Sequence, residues 1–408
     1  MKINLLISIS IVVSILLGCK NNYSPENYHF SHIDSMFNAA VLNNEIPGAV
    51  ALISHHDQII YHKAFGYNTI HDNERQKVND IFRLASMTKA LTAVAVLQLQ
   101  EQGKLHVDDF VHQYLPEFKE PQLLIEVLPD SNFVAQAAKS EITIHQLLTH
   151  TSGIGYGFQD DKYNALILKN NVSEGFGFDN RTSRNNIKKI AALPLLHEPG
   201  EAYTYGLSFD VLGVLIEEVS GLRYDDYITQ YILTPCGMSD SYFIIPEAHH
   251  HRLSTVYEPN EDGGLQIASY ADTTYPCLTD RQFFSGGADL CSTAKDYHLF
   301  LQMLGNSGTI NGQQVLGPES VHAMLSKQSS LAEENSYQGY AAWVTNKQGS
   351  QTGLTNEGTY GFGGFFDTYS WTDPKAEISA VLLLQMYPNN KHNIHEQFQQ
   401  LSYELIKE

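Results

Sequence analysis

Phe82-Arg83-Leu84-Ala85-Ser86-Met87-Thr88-Lys89 runs directly into Ala90-Leu91-Thr92-Ala93-Val94-Ala95-Val96-Leu97-Gln98-Leu99. The second half is apolar on nearly every face, the pattern of a helix buried all round, and Gly103 is a natural stop for it. Ser86 and Lys89 are three apart, so on a helix they lie one turn above each other, where hydroxyl and amine can be held within hydrogen-bond reach. That pairing suits a nucleophile and its base. A serine where such a helix begins also has a free backbone amide and the positive end of the helix dipole beneath it. The spacing alone leaves a second reading open, a serine that merely caps the helix. A Ser-x-x-Lys match is expected roughly once by chance in a chain this long. Another occurs at Ser292-Thr293-Ala294-Lys295, after Gly286-Gly287 and before a polar helix start, and there only a helix cap is expected.

A chain of 408 residues can bury a large core and form two domains, or one with a large insertion. The formal net charge of -20 argues against a nucleic-acid partner, which needs a basic surface. The four cysteines do not form a framework. Cys19 belongs to the leader, and Cys236, Cys277 and Cys291 are an odd number at unequal spacing, so a disulfide is possible in an oxidising compartment but not expected. There is no Cys-x-x-Cys pair to suggest zinc, and His249-His250-His251 reads as loop, because adjacent histidines point in different directions. Neither a metal nor a cofactor is expected.

The apolar stretch from Ile3 to Leu17 is too short to span a bilayer comfortably and suits a signal-peptide core. It ends in Leu16-Leu17-Gly18-Cys19, which resembles the bacterial lipobox. The resemblance implies cleavage before Cys19 and lipid on its sulfur, so that acyl chains anchor the protein in the bacterial cell envelope, periplasmic or surface-exposed. The other reading is a plain secretory leader that happens to contain a cysteine. Residues 20–29 then serve as a tether.

Ile46-Pro47-Gly48 opens a strand over Ala49 to Ser54, and Gln58 to Gly66 reads as its hairpin partner around His55-His56-Asp57. Further strands are predicted at Tyr340 to Val344, Gly361 to Trp371 and Ile378 to Tyr387, followed by a closing amphipathic helix from His392 to Lys407. Strands at both ends around a helical middle predict an α+β fold: an antiparallel sheet flanked by helices, built from both chain termini (30–100 and 300–408), with a mostly helical inserted domain at 101–299. Within the insertion, 119–139 reads as irregular. Ile142 to Leu148 begins a short helix that runs into Thr149-His150-Thr151-Ser152-Gly153, and 154–190 reads as a lid or rim. Its Tyr156, Phe158, Tyr163, Phe176 and Phe178 either line an acyl pocket or pack the rim. Tyr205 lies in a loop opened by Pro199-Gly200, before a helix at Val211 to Gly221. It is either a catalytic phenol or a core residue with a satisfied hydroxyl.

Together these stretches resemble the serine β-lactamase and penicillin-binding-protein superfamily, in the class C-like branch that also holds the family VIII esterases. Ser86-Met87-Thr88-Lys89 matches the first motif, and Leu147-Leu148-Thr149-His150-Thr151-Ser152-Gly153 matches a stretch typical of the branch. Tyr205 falls on the tyrosine of the second motif, and Phe362-Gly363-Gly364 occupies the third. The resemblance spans roughly residues 30 to 400 in the expected order. It implies Ser86 as nucleophile, Lys89 and Tyr205 sharing its proton, and the backbone amides of Ser86 and Phe365 holding the oxyanion, with Gly363 and Gly364 letting the strand approach the substrate. A lysine amine and a tyrosine phenol are ordinarily protonated at neutral pH, near 10.4 and 10, so lowering either to about 7 takes about 4 kcal/mol. Burial of the amine, or a cation beside the phenol, supplies such a change.

Two departures bear on substrate. Members acting on β-lactams usually carry Tyr-x-Asn in the second motif and Lys-Thr-Gly in the third; here Leu207 and Phe362 stand at the Asn and Lys positions. The missing amide removes a donor for the substrate's side-chain amide, and the missing cation removes a partner for its carboxylate. The resemblance therefore implies an esterase acting on a small-molecule acyl substrate. The rivals are a D-amino-acid peptidase or weak class C-like β-lactamase, and a lipid-anchored binding protein without turnover.

Overall fold

The computed structural model describes residues 28–176, 181–269, 274–329, 334–351, 353–389 and 393–407. Phe178, the leader with Cys19, and the tether up to residue 27 lie outside them.

Gly48–His55 is the strand on which the fold is assembled, buried along almost its whole length. Alternate side chains serve two cores, as the pleat requires. Val50 and Leu52 face the helical middle of the chain, while Ala49, Ala51 and Ile53 face helices Ser31–Leu42 and Ile394–Leu405. The strand pairs antiparallel with Gln58–Thr69 on one side and with Ile378–Leu383 on the other, Leu52 opposite Val381. The two chain ends thus meet inside one eight-stranded antiparallel sheet. Its order is Ser336–Gln338, Trp343–Thr345, Tyr360–Gly364, Thr368–Asp373, Ile378–Leu383, Gly48–His55, Gln58–Thr69, Glu74–Arg75. The expected α+β architecture is present.

On the other face lies helix Thr88–Glu101, with every residue from Thr88 to Leu99 buried. Each leucine or valine it hides contributes about 1.5–3 kcal/mol, which holds this helix firmly in the core. It ends where expected: Gly103 takes the left-handed φ of 67°, and Lys104 N–H reaches Leu99 O at 3.0 Å.

Four expectations need correction. The strand expected at Tyr340 to Val344 is instead a hairpin of two short strands, Ser336–Gln338 and Trp343–Thr345, with 339–342 as its connection. The stretch 119–139 is not irregular but carries a two-stranded ladder, Gln122–Val127 with Phe133–Ala137. Neither face of that ladder is buried, so the sequence lacks the alternation that marks a half-buried strand. The span Gly361 to Trp371 is two strands rather than one. The chain reverses at Phe365-Phe366-Asp367, where Asp367 adopts φ 65° and its N–H bonds Gly364 O at 3.0 Å. The turn opens on Gly364, but neither of its central residues, Phe365 and Phe366, is glycine or proline, and the left-handed position falls to Asp367, aspartate being among the few other residues that tolerate that region. Finally, at the second Ser-x-x-Lys the cap of helix Ala294–Gly305 is Thr293, whose hydroxyl accepts from Asp296 N–H at 3.2 Å, while Ser292 bonds Ser241.

His249, His250 and His251 lie in a 3₁₀ turn, Glu247–Arg252, where His250 bonds Ile245 O and His249 meets Arg252. Cys236, Cys277 and Cys291 are free thiols.

Candidate active site

Ser86 sits in a 3₁₀ turn, Ala85–Met87, between the short strand Phe82–Arg83 and the buried helix that starts at Thr88. Its side chain caps nothing, which removes the bland reading of the motif. Ala85, just before it, is held at φ 47°, a left-handed conformation that costs an alanine roughly 1–2 kcal/mol. The surroundings enforce it. Thr368 Oγ1 donates to Leu84 O at 3.2 Å, Tyr297 OH donates to Met87 O at 3.1 Å, and Leu290 N–H donates to Thr88 Oγ1 at 3.1 Å. Behind the turn the buried Arg83 guanidinium donates to Ser254 O at 2.7 Å.

One helical turn on, Lys89 is 3% exposed. Its Nζ donates to Ser86 Oγ at 3.0 Å and to Gly287 O at 2.9 Å, and lies 3.4 Å from Tyr156 OH. From the opposite side Tyr205 OH donates to Ser86 Oγ at 2.6 Å. Lys89 Nζ also lies 4.7 Å from the centre of the Tyr205 ring.

The stretch Thr149 to Gly153 delivers Tyr205. His150 O accepts from Thr204 N–H at 2.8 Å, His150 Nδ1 accepts from Gly206 N–H at 3.3 Å, and Ser152 Oγ meets Ser208 Oγ at 2.9 Å. The His150 and Tyr205 rings pack with centroids 4.6 Å apart. Burial, and then the charge of Lys89, hold the His150 imidazole well below its ordinary range, so it stays a neutral spacer.

These groups open into a cavity of about 900 Å³, lined also by Tyr203, Gln338, Trp343, Phe362, Gly363 and Tyr369. The strand Tyr360–Gly364 runs along it. Phe362 is 3% exposed, its ring packed with Tyr297, Phe300 and Tyr360, so no cation stands at that position. Gly364 must be glycine, since a Cβ there would strike Leu84 O in the backbone of the Ser86 turn. Phe365 turns its ring away to stack on Tyr387, centroids 3.8 Å apart. Leu207 is in the core.

Of the aromatic residues in 154–190, Tyr156 reaches the site, beneath Lys89. Tyr163 is core, Phe158 is mostly exposed, and Phe176 packs on Phe365 and Phe366. Burial, with Tyr205, Asp210 and Glu174 nearby, pushes the Tyr156 phenol well above 10, so it remains protonated. The sequence reading offered Tyr156 as one of five aromatics that line an acyl pocket or pack the rim, gave it no place beside Lys89, and did not single out Asp210. For Asp210 a signal existed, an acidic residue inside the apolar run Phe209 to Ile216.

A serine, an amine one turn deeper and a phenol from a distant loop, meeting where an antiparallel sheet abuts a helical region, define the β-lactamase/transpeptidase-like class. The chain belongs to the Beta-lactamase family, whose profile matches residues 33–403. Among relatives it is similar to esterase EstB of Burkholderia gladioli, 27% identical over 373 residues that cover 87% of this chain and 89% of that one. It is also similar to ML-236A carboxylate methylbutanoyltransferase mlcH of Penicillium citrinum, 25% identical over 408 residues, covering 92% and 95% of the two chains. In fold it matches EstCE1, a hydrolase with promiscuous acyltransferase activity, with a TM-score of 0.79 at 24% identity, covering 91% of this chain and 97% of that one.

Proposed function

We propose that this protein is a serine ester hydrolase working through an acyl-enzyme on Ser86. The observation that carries the reading is the bracketing of Ser86 Oγ by Lys89 Nζ at 3.0 Å and Tyr205 OH at 2.6 Å. In this reading Oγ forms a bond to the ester carbonyl carbon as its proton passes to the Lys89–Tyr205 pair. The amides of Ser86 and Phe365 hold the oxyanion. The C–O bond to the alcohol then breaks, the alcohol leaves with that proton, and water repeats the sequence on the acyl-enzyme. Lys89 suits the base role. Gly287 O and Tyr156 OH occupy two of its hydrogen-bonding directions, and the third faces Ser86.

Ester preference over lactam or D-amino-acid peptide is supported by Leu207 and Phe362, which place an apolar core residue and a packed ring where a donor amide and a cation would recognise those substrates. The named activities of EstB and mlcH, both acyl chemistry, support it further. The test is a panel of nitrophenyl esters beside nitrocefin and a D-alanyl-D-alanine peptide, with Ser86→Ala as control. Ester turnover lost in the variant is expected; turnover of lactam or peptide faster by orders of magnitude overturns the ester assignment, and a fluorophosphonate that never labels Ser86 favours a binding protein.

For location we propose lipid attachment at Cys19 and residence in the bacterial cell envelope, supported by the leader sequence alone. Incorporation of an alkyne-tagged fatty acid that is lost in Cys19→Ala is expected, and equal labelling of both overturns it.

A further inference from the structure

Asp210 stands in the first turn of helix Ser208–Ser220, 3% exposed, and neither carboxyl oxygen has a hydrogen-bond partner within normal length among the described residues. A buried carboxyl without partners is strongly disfavoured, so its presence asks for a reason. Its position supplies one. A Cβ on Gly287 would lie 3.1 Å from Asp210 Oδ2, 3.4 Å from Lys89 Nζ and 3.4 Å from Tyr156 OH. Three ionisable groups from three parts of the chain therefore converge on one spot, kept free of any side chain by a glycine whose own carbonyl accepts from Lys89.

We propose that Asp210 is a positioning residue for the Lys89 amine: its buried carboxyl, facing Lys89 Nζ and Tyr156 OH across the bare edge of Gly287, controls how many protons that amine carries when Ser86 reacts. The inference rests on the reading of Ser86 as nucleophile. An ionised Asp210 favours the ammonium form of its neighbour, and a neutral one releases it. Released, the amine keeps two protons for Gly287 O and Tyr156 OH and turns its lone pair to Ser86.

The other groups facing Asp210 leave this exchange to the two of them. Tyr156, backed by Glu174, and Tyr224 are both held as neutral phenols by burial. Asp289 is ion-paired with Arg281, and Ser285 Oγ accepts from Gly287 N–H at 3.1 Å. His150, on the far side of Lys89, is neutral. Burial pushes Asp210 up to about 7, against the opposing effects of Ser285 and Lys89, so the carboxyl changes charge near neutral pH.

The test is the pH dependence of Ser86 labelling by a fluorophosphonate, read on the full chain and on Asp210→Asn. Removing the charge while keeping the shape is expected to move the acid limb of the labelling rate to lower pH by about one unit. A side chain that only fills space would change the rate equally at every pH. A limb that stays in place or moves upward overturns the proposal. If Asp210→Asn does not fold, Gly287→Ala carries the test: its methyl, wedged among the same three atoms, is expected to move the limb in the same direction, and an unmoved limb overturns the proposal. A wild-type chain whose Ser86 is labelled at no pH takes down the nucleophile reading and this inference together, whereas normal labelling with an unmoved limb takes down this inference alone.

Discussion

Tyr205 OH lies 2.6 Å from Ser86 Oγ across a sequence separation of 119 residues, closer than Lys89, whose amine is 3.0 Å away and only three residues along the chain. The phenol is therefore placed to take part in every proton movement at that hydroxyl. Tyr156, the second phenol of the site, touches Lys89 and not Ser86, at 3.4 Å. Tyr205→Phe is expected to lower kcat by about 10²–10⁴ with little change in KM, the range of a lost general acid–base group. Tyr156→Phe removes one long contact to the amine and is expected to cost about tenfold or less. Steady-state ester hydrolysis by both variants checks the order, and equal losses would put the two phenols in the same role.

Local spacing made Ser86 and Lys89 legible, because one helical turn suffices to bring them together. The central strand and its partner at the other end of the chain were also legible, since Ala49 to Ser54 and Ile378 to Leu383 are apolar runs bounded by turn residues. For Tyr205, its loop before a buried helix left a catalytic phenol and a core residue both open, and only the resemblance chose between them: nothing in that loop says that His150 will hold it against Ser86. Tyr156 and Gly287 reach Lys89 through tertiary packing of segments 67 and 198 residues away, which no local pattern encodes. The reversal at Phe365 to Asp367 was hidden for a different reason, because its central residues, Phe365 and Phe366, are strand formers.

The third-motif position cannot simply be restored. Phe362 sits among Tyr297, Phe300 and Tyr360. Phe362→Lys would put an amine into that aromatic packing with no carboxylate to pair it, and an uncompensated buried charge costs about 3–5 kcal/mol. Chemical denaturation is expected to show a loss of that size, with no gain in nitrocefin hydrolysis. A stable variant that hydrolyses nitrocefin would mean that the side chain can swing into the cavity.

The two glycines that follow differ in what they tolerate. A Cβ on Gly363 would have no neighbour closer than Thr368 O at 3.8 Å, whereas one on Gly364 would collide with Leu84 O in the backbone of the Ser86 turn. Gly363→Ala is expected to fold as the parent does and to alter KM, since the methyl faces the cavity. Gly364→Ala must push the strand off the turn, an overpacking cost of about 1–3 kcal/mol, and displaces Ser86 from its partners. Melting curves and kcat for the pair separate the two outcomes; a Gly364→Ala variant with wild-type kcat would show that strand and turn are not coupled.

Loss of stability at acid pH is expected to have a source away from the Ser86 cavity. His298, in helix Ala294–Gly305, is 1% exposed, and neither ring nitrogen has a hydrogen-bond partner among the described residues. Burial, and then His62, lower its pKa to about 4 from an ordinary 6.5. The folded value lies below the unfolded one, so as pH falls the unfolded chain takes up the proton first. The stability this neutral ring permits is complete above 6.5, declines as pH falls from 6.5 towards 4, and the decline amounts to about 3 kcal/mol. His298→Leu removes the proton site, so its stability is expected to fall less than the wild type's across that window by about the same amount. Denaturant titrations at pH 7.5 and pH 4.5 measure the difference. Parallel losses in both proteins would locate the acid-sensitive group elsewhere, with His62 the next to change, since burial lowers it as well.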